Sequence, residues 1–369
     1  MKEMEKTEIT KEAEKKKMPM AIKIAIGFLC VILLGGVGAF AYVQHYLGKI
    51  NKATPMSVEE IIPPSEETFE VDENALADNT GADENVGPES NENVDVTIPM
   101  EELNPEDIKL HVASDVMDNK DVVNILLIGQ DRREGEGRAR SDAMILVTMN
   151  KKTEEIHMTS FMRDLYVELP GNYSANRLNA AYQFGGMELL DATLERNFGI
   201  KVDGNIEVDF NSFEKCIDKV GGVDIELNEV EVNYLNKRYP WKVQVGMNHL
   251  TGEKALAYSR IRYVGNADYE RTERQRRVLM DVFNKLKKAD LRTITGFADE
   301  MFPLLTTDMS KMDILGYAVE GFSIGMDNMG TGRVPTNGAF KPAVVRGMQV
   351  LVPDLEKNRN YLQTELYGN

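Results

Sequence analysis

Four charged residues stand at spacings that could assemble one site for an anionic ligand: Asp131, Asp142, Arg163 and Asp164. They punctuate three apolar runs, residues 122–128, 143–149 and 156–161, each with the length and composition of a strand. Sequential strands usually lie side by side. If these three run up, down and up, the charges at their joints collect at one sheet edge. Residues 129–141, rich in Arg and Gly, then form a loop over that edge. Carboxylates gathered there repel each other unless a cation or a guanidinium lies between them. The pattern suits a divalent metal such as magnesium, which takes one or two carboxylates and completes its shell with water and substrate phosphate. It equally suits a structural use, with Asp131 capping a turn and Asp142 pairing with Arg140.

Further guanidinium groups follow in pairs. Arg260 and Arg262 are two apart, so on an extended segment both point to one face. Arg271 and Arg274 are three apart, neighbours on a helix. The apolar stripe of that helix is Val278, Leu279, Val282, Phe283 and Leu286, and its backward projection passes through Arg274 and Arg271. At least one of the two therefore faces inward, where a charge needs a partner. Salt bridges to domain carboxylates are one outcome. A phosphate clamp is the other, because guanidinium forks bind phosphate oxygens bidentately. Arg276 and Arg277 fall off the stripe and are expected in solvent.

The elements that must position these groups alternate in type. Residues 165–169, 205–208 and 223–227 read as strands, with short strands near 332–334 and 344–350. Helical spacing covers 185–198, 210–220, 253–258, 270–288, 312–322 and 354–366. Asn211 followed by Glu214 suits the start of the second helix. The fold class expected is α/β: a single αβα domain with a central mixed sheet flanked by helices. The Met and Phe residues at helical spacing read as core or as the lining of a lipid tunnel.

Upstream of the domain, residues 24–43 contain no charge and have the length of a helix crossing a bilayer. Seven lysines precede this run, counting Lys23, and only Lys49 and Lys52 follow it closely, which places the N-terminus in the cytoplasm and the bulk outside. A cleaved signal peptide is the competing reading, but its apolar region is shorter, about 7 to 15 residues. The expected division is a cytoplasmic tail over 1–23, a membrane helix over 24–43, an acidic linker over 44–114 and a catalytic domain over 115–369. Residues 58–107 hold 17 of the acidic side chains and no Lys or Arg; the remainder balances at 43 acidic and 43 basic residues. A formal charge of -17 argues against a nucleic-acid partner. Two distant cysteines provide no disulfide framework, and no HExxH, GxSxG or GK[ST] phosphate loop occurs.

Seven segments in fixed order, NILLIGQDRR, RSDAMILVTMN, MTSFMRDLYVELPG, RLNAAYQFGG, GGVDIEL, LTGEKALAYSRIRY and ERTERQRR, resemble the LytR-CpsA-Psr family over roughly residues 120–285. That resemblance implies a membrane-anchored phosphotransferase of Gram-positive bacteria. It would move an anionic glycopolymer, teichoic acid or capsule, from a polyprenyl-pyrophosphate carrier to a peptidoglycan sugar hydroxyl. Carried over by motif, Asp131 and Asp142 would hold Mg2+, or Mn2+ in its place. Arg140, Arg163, Arg260, Arg262, Arg271 and Arg274 would grip the pyrophosphate, with Arg177 and Asn179 supporting its end. The family usually has proline before the Arg-Asp pair, where this chain has Met162. Two other functions fit the same site: a polyprenyl-pyrophosphate hydrolase and a non-catalytic lipid-binding wall-assembly protein.

Overall fold

The computed structural model describes residues 40–54, 100–130, 138–262, 268–325 and 329–368. Residues 40–47 are helical, and those up to Tyr46 form a unit apart from the body that begins at Leu47. The expected membrane span lies outside the described residues except for 40–43. Among the described residues no helix is long and apolar enough to cross a membrane.

The body is built on strands β1 (Asn51–Lys52), β2 (Glu101–Glu102), β3 (Val122–Gln130), β4 (Ser141–Asn150), β5 (Glu155–Phe161), β6 (Tyr166–Val167), β7 (Asn176–Arg177), β8 (Gly204–Asp209), β9 (Val223–Leu227), β10 (Gly246–Leu250), β11 (Thr306–Thr307), β12 (Met329–Val334), β13 (Phe340–Val345) and β14 (Met348–Pro353). Its helices are α1 (Leu178–Phe198), α2 (Phe210–Lys219), α3 (Glu229–Arg238), α4 (Gly252–Ser259), α5 (Asp268–Lys288), α6 (Leu291–Met301), α7 (Lys311–Ile324) and α8 (Leu355–Tyr367).

A seven-stranded mixed sheet has the order β1-β11-β8-β3-β4-β5-β12. β4 is antiparallel to both β3 and β5, as the up-down-up reading expects; β8 runs parallel to β3 and β12 parallel to β5. The apolar runs of β3 and β4 are nearly continuous because both faces are covered. On one face Leu126, Ile128, Met144, Leu146 and Phe161 pack against α1 and α8. On the other, Val123, Ile125, Met149 and Ile156 pack against Ile314, Tyr317 and Ile324 of α7. Each such side chain removed from water contributes roughly 1.5–3 kcal/mol, which fixes the strand register and hence what stands at the strand ends.

A second apolar cluster joins the β9–β10 hairpin to α2, α3, α4 and the middle of α5, through Ile225, Leu235, Tyr258 and Val278. Helix α2 starts at Asp209, whose side chain accepts from Ser212 N; the cap is two residues earlier than the Asn211 expected from sequence. A third cluster holds β13 and β14 against Tyr166. Two pieces of the stretch read as linker are strands of the body: Asn51–Lys52 pairs with β11 and Glu101–Glu102 with β13.

Candidate functional site

The parallel strands β3, β8, β5 and β12 all end at one edge of the main sheet, and β4 begins there. Asp142 is the second residue of β4; Arg163 and Asp164 follow β5 within three residues. Arg163 Nη1 donates to Asp142 Oδ1 at 2.7 Å. Its Nε lies 3.5 Å from Asp164 Oδ2, and Arg177 Nη1 lies 3.7 Å from Asp164 Oδ1. The corner is held by backbone: Asn179 N donates to Arg163 O at 3.2 Å and Leu178 N to Leu165 O at 2.8 Å. Arg177 and Asn179 are both buried here, and the Asn179 Oδ1 has no hydrogen-bond partner among the described residues. At the position where proline is usual, Met162 N donates to Val334 O at 2.8 Å, a bond proline lacks the hydrogen to make.

Burial by itself would raise the Asp142 carboxyl. The charges of Arg163, Arg271 and Arg262 outweigh it and bring the group down to about 2. Three arginines from separate segments therefore act on one carboxylate: Arg163 after β5, Arg262 after α4, and Arg271 from the first turns of α5. Asp142 is ionised at any physiological pH.

Arg274, three residues along α5, sits elsewhere. It is 2% exposed. Its Nε donates to Glu231 Oε1 at 2.8 Å, Nη2 to Glu270 Oε2 at 2.7 Å and Nη1 to Ile261 O at 3.1 Å. Every nitrogen of that guanidinium is engaged within the protein. Arg260 caps α4 with helical backbone (φ -97, ψ -2), so the two-residue alternation assumed for an extended segment does not apply. Its guanidinium lies 5.0 Å from the Phe210 ring centroid, while Arg262 acts on Asp142. Arg140 Nε donates to Gln183 Oε1 at 3.0 Å, which ties the strand leading into β4 to α1.

Sequence reasoning passed over several residues here. Arg138 lies over the Tyr182 ring, 6.0 Å from its centroid, and against Gly186. Gly186 kinks α1 (φ 67, ψ -150), and a Cβ there would stand 3.1 Å from the Arg138 Cζ. Glu207 of β8 accepts from Tyr182 Oη and Gln130 Nε2, and Gln130 Oε1 accepts from Ala139 N. A buried carboxylate thus anchors Gln130, which in turn holds Ala139. Arg276, expected in solvent, is buried and donates to Ser160 Oγ at 2.7 Å. Helix α5 is covered on two sides, by the second cluster and by β5, so a single apolar stripe does not describe it. Cys216 offers no nucleophile, since burial pushes its thiol up to about 12.

Asp131 lies outside the described residues. Among those residues, no group of three or more acidic, His or Cys side chains could hold a metal by itself. Asp142 fits magnesium in kind: it is an ionised hard-oxygen donor beside guanidinium groups that bind phosphate, and phosphate oxygens complete such a shell.

The LytR_cpsA_psr family model matches residues 79–365. The chain is 36% identical over 178 residues to the polyisoprenyl-teichoic acid–peptidoglycan teichoic acid transferase TagU of Bacillus anthracis, which is 48% of this chain and 56% of that protein. It is 33% identical over 188 residues to the regulatory protein MsrR of Staphylococcus aureus, 51% of this chain and 56% of that one. The chain thus spans a little over half the length of the relatives it matches. Among solved structures it resembles TagT of B. subtilis, with a TM-score of 0.55 and 27% identity over 69% of this chain and 95% of that one. It also resembles the family protein YwtF (TagT) with bound octaprenyl pyrophosphate lipid, with a TM-score of 0.51 and 27% identity over 67% of this chain and 91% of that one.

Proposed function

This chain belongs to the LytR_cpsA_psr family, and on that premise we propose that it is a phosphotransferase moving an anionic glycopolymer from a polyprenyl-pyrophosphate carrier to a peptidoglycan sugar hydroxyl. The observation that carries the reading is the contact of Arg163 with Asp142 at the ends of the parallel strands, with the charges of Arg262 and Arg271 lowering the same carboxyl. Support also comes from TagU, a relative named as a teichoic acid transferase, and from the octaprenyl pyrophosphate bound in a structural neighbour.

Phosphoryl transfer asks the protein for positioning and charge neutralisation more than for covalent help. The sugar hydroxyl attacks the polymer-side phosphorus, the bond from that phosphorus to the bridging oxygen breaks, and polyprenyl phosphate leaves. Arg163, Arg262 and Arg271 grip the diphosphate oxygens, with Arg177 and Asn179 holding the backbone corner that carries Arg163. Arg140, bonded to Gln183, and Arg260, over the Phe210 ring, add further guanidinium groups for the diphosphate. Arg274 positions α5, and so Arg271, rather than touching the substrate. Magnesium held by Asp142 together with Asp131 would neutralise diphosphate charge. The hydroxyl proton passes to a carboxylate of this pair or to water. The proposal includes an N-terminal membrane anchor over 24–43, with the domain on the outer face.

The test is transfer of a labelled lipid-linked polymer to peptidoglycan by the full chain. Arg262→Ala is expected to lower the rate about 10²–10³-fold. A product carrying phosphate on a sugar supports the transferase. Label released as free phosphorylated polymer would instead make the protein a hydrolase, and an unchanged rate in Arg262→Ala would remove the site.

A further inference from the structure

The arm between β9 and β10 holds the two most exposed large apolar side chains among the described residues, Val245 at 64% and Met247 at 70%. They do not hang from a slack loop. Asn236 exchanges two hydrogen bonds with the backbone of Val243, at 2.8 and 3.0 Å. Asn248 does the same with Gln244, at 2.6 and 3.1 Å, and also donates to Gly246 O. Tyr239 and Trp241 stack with centroids 4.1 Å apart and planes within 10°. The backbone is thus fixed by two side-chain clamps and a ring pair, and the fixed shape turns aliphatic groups outward. Exposed apolar groups on a rigid frame mark an interaction surface.

The charge around them is unlike that of the whole chain. Residues 232–252 contain Lys237, Arg238 and Lys242 and no Asp or Glu, in a protein whose formal charge is -17. Lys237 and Lys242 are exposed, and the Lys254 ammonium lies 5.9 Å from the Trp241 ring centroid. Asp224 is paired with His249 and Lys285, and the exposed Glu226 stands opposite Met247 across the strand pair. An apolar tip, an aromatic pair and a basic collar form the composition that settles at the headgroup boundary of a bilayer. A sugar platform needs open ring faces, whereas here two ring faces are spent on each other.

The position suits that role. Asn51 Nδ2 donates to Pro303 O at 2.7 Å and Lys49 pairs with Asp299, so the segment that follows the expected membrane span is tied to α6 and the turn after it. Helix α6 packs on α2, with Lys219 paired to Glu300, and Gly252 N donates to Asp218 Oδ1 at 2.7 Å, joining α2 to the base of the arm. Contacts therefore run from the 49–51 segment through α6 and α2 to the base of the arm.

We propose that the 237–247 tip of this arm docks on an anionic phospholipid surface, with Val245, Met247 and Trp241 entering the headgroup boundary and Lys237 and Lys242 meeting lipid phosphates. It rests on the reading that the body works at a membrane face, and it would hold the diphosphate site beside a lipid-borne donor.

Trp241 is the chain's one tryptophan, so its emission reports on the tip without a label. The full chain is reconstituted into vesicles of phosphatidylglycerol with phosphatidylcholine, or of phosphatidylcholine alone, each with brominated acyl chains. The expected result is blue-shifted emission, quenched by bromine, in the anionic vesicles. Val245→Ser/Met247→Ser is expected to abolish the quenching, and Lys237→Gln/Lys242→Gln to weaken docking roughly 30-fold. Equal, unquenched emission in both vesicle types would overturn the proposal. So would emission that shifts with soluble glycan-strand fragments while bromine leaves it untouched. Arg262→Ala, which tests the transferase reading, is expected to leave the Trp241 signal unchanged, so the two readings fail separately.

Discussion

Two clusters of arginine and carboxylate meet at the first turns of α5. Around Arg274, carboxylates and a carbonyl take up all three guanidinium nitrogens, and Glu231 is itself buried and capped onto Asn228 N. Around Asp142, the charges of three arginines from three segments lower one carboxyl, and Arg163 also stands 3.5 Å from Asp164 Oδ2. The first cluster is closed on itself and locks α3 to α5. The second concentrates positive charge at strand ends, where an anionic ligand would complete it. The same residue types at adjacent turns of one helix thus serve two ends, and the surrounding carboxylates decide which.

The sharpest way to break this contrast is to remove the buried arginine. Arg274→Met removes the buried guanidinium that Glu231 and Glu270 share, and urea unfolding should show a loss of about 3–5 kcal/mol. The comparison fails if Arg271→Met destabilises as much as Arg274→Met while retaining transfer activity. Next in size are the converging arginines. Arg163→Ala and Arg271→Ala should each lower transfer about 10²–10³-fold, with a smaller loss of stability than Arg274→Met.

Acid titration separates the clusters from a third charged region. Burial, and then the charge of Arg276, bring His157 down to about 4 from an ordinary 6.5. The unfolded chain takes up this proton from about pH 6.5 downward, whereas the folded protein takes it up only near pH 4. Stability is therefore full above pH 6.5 and falls as pH drops, by on the order of 3 kcal/mol at pH 4. Asp142 stays ionised through that window, its own contribution being lost only as pH falls from about 4 toward 2. Unfolding at pH 7 and pH 4.5 should show a loss in the native protein that His157→Gln lacks; equal losses would move the effect elsewhere. The smallest expected effect is at the kink of α1. Gly186→Ala should cost about 2 kcal/mol, since its backbone suits glycine alone and the new Cβ would crowd Arg138. Thermal unfolding would measure it.

Much of the sheet was legible because β3, β4 and β5 are apolar runs bounded by turn residues, and such runs pair with their neighbours. The juxtaposition of Asp142 with Arg163 followed from that pairing alone. The second lobe was harder to read. Helix α6 was not expected, nor were α3 and β10, whose sequences mix charge with apolar residues and acquire a buried side only against α2, α4 and α5. Arg276 was misplaced for the same reason, since a helix between two packed bodies has two buried faces. The metal expectation remains a proposal because Asp131 lies outside the described residues.

The order and spacing of residues determined which strands are central, that Asp142 and Arg163 share a sheet edge, and that at least one of Arg271 and Arg274 turns inward. These follow from periodicity and from neighbours in the chain. Whether each inward arginine closes an internal salt bridge or joins the site depended on Glu231 and Asp142, carboxylates brought up from distant segments by packing. A side chain's period along its own helix gives its direction; only the assembled lobes supply what it meets there.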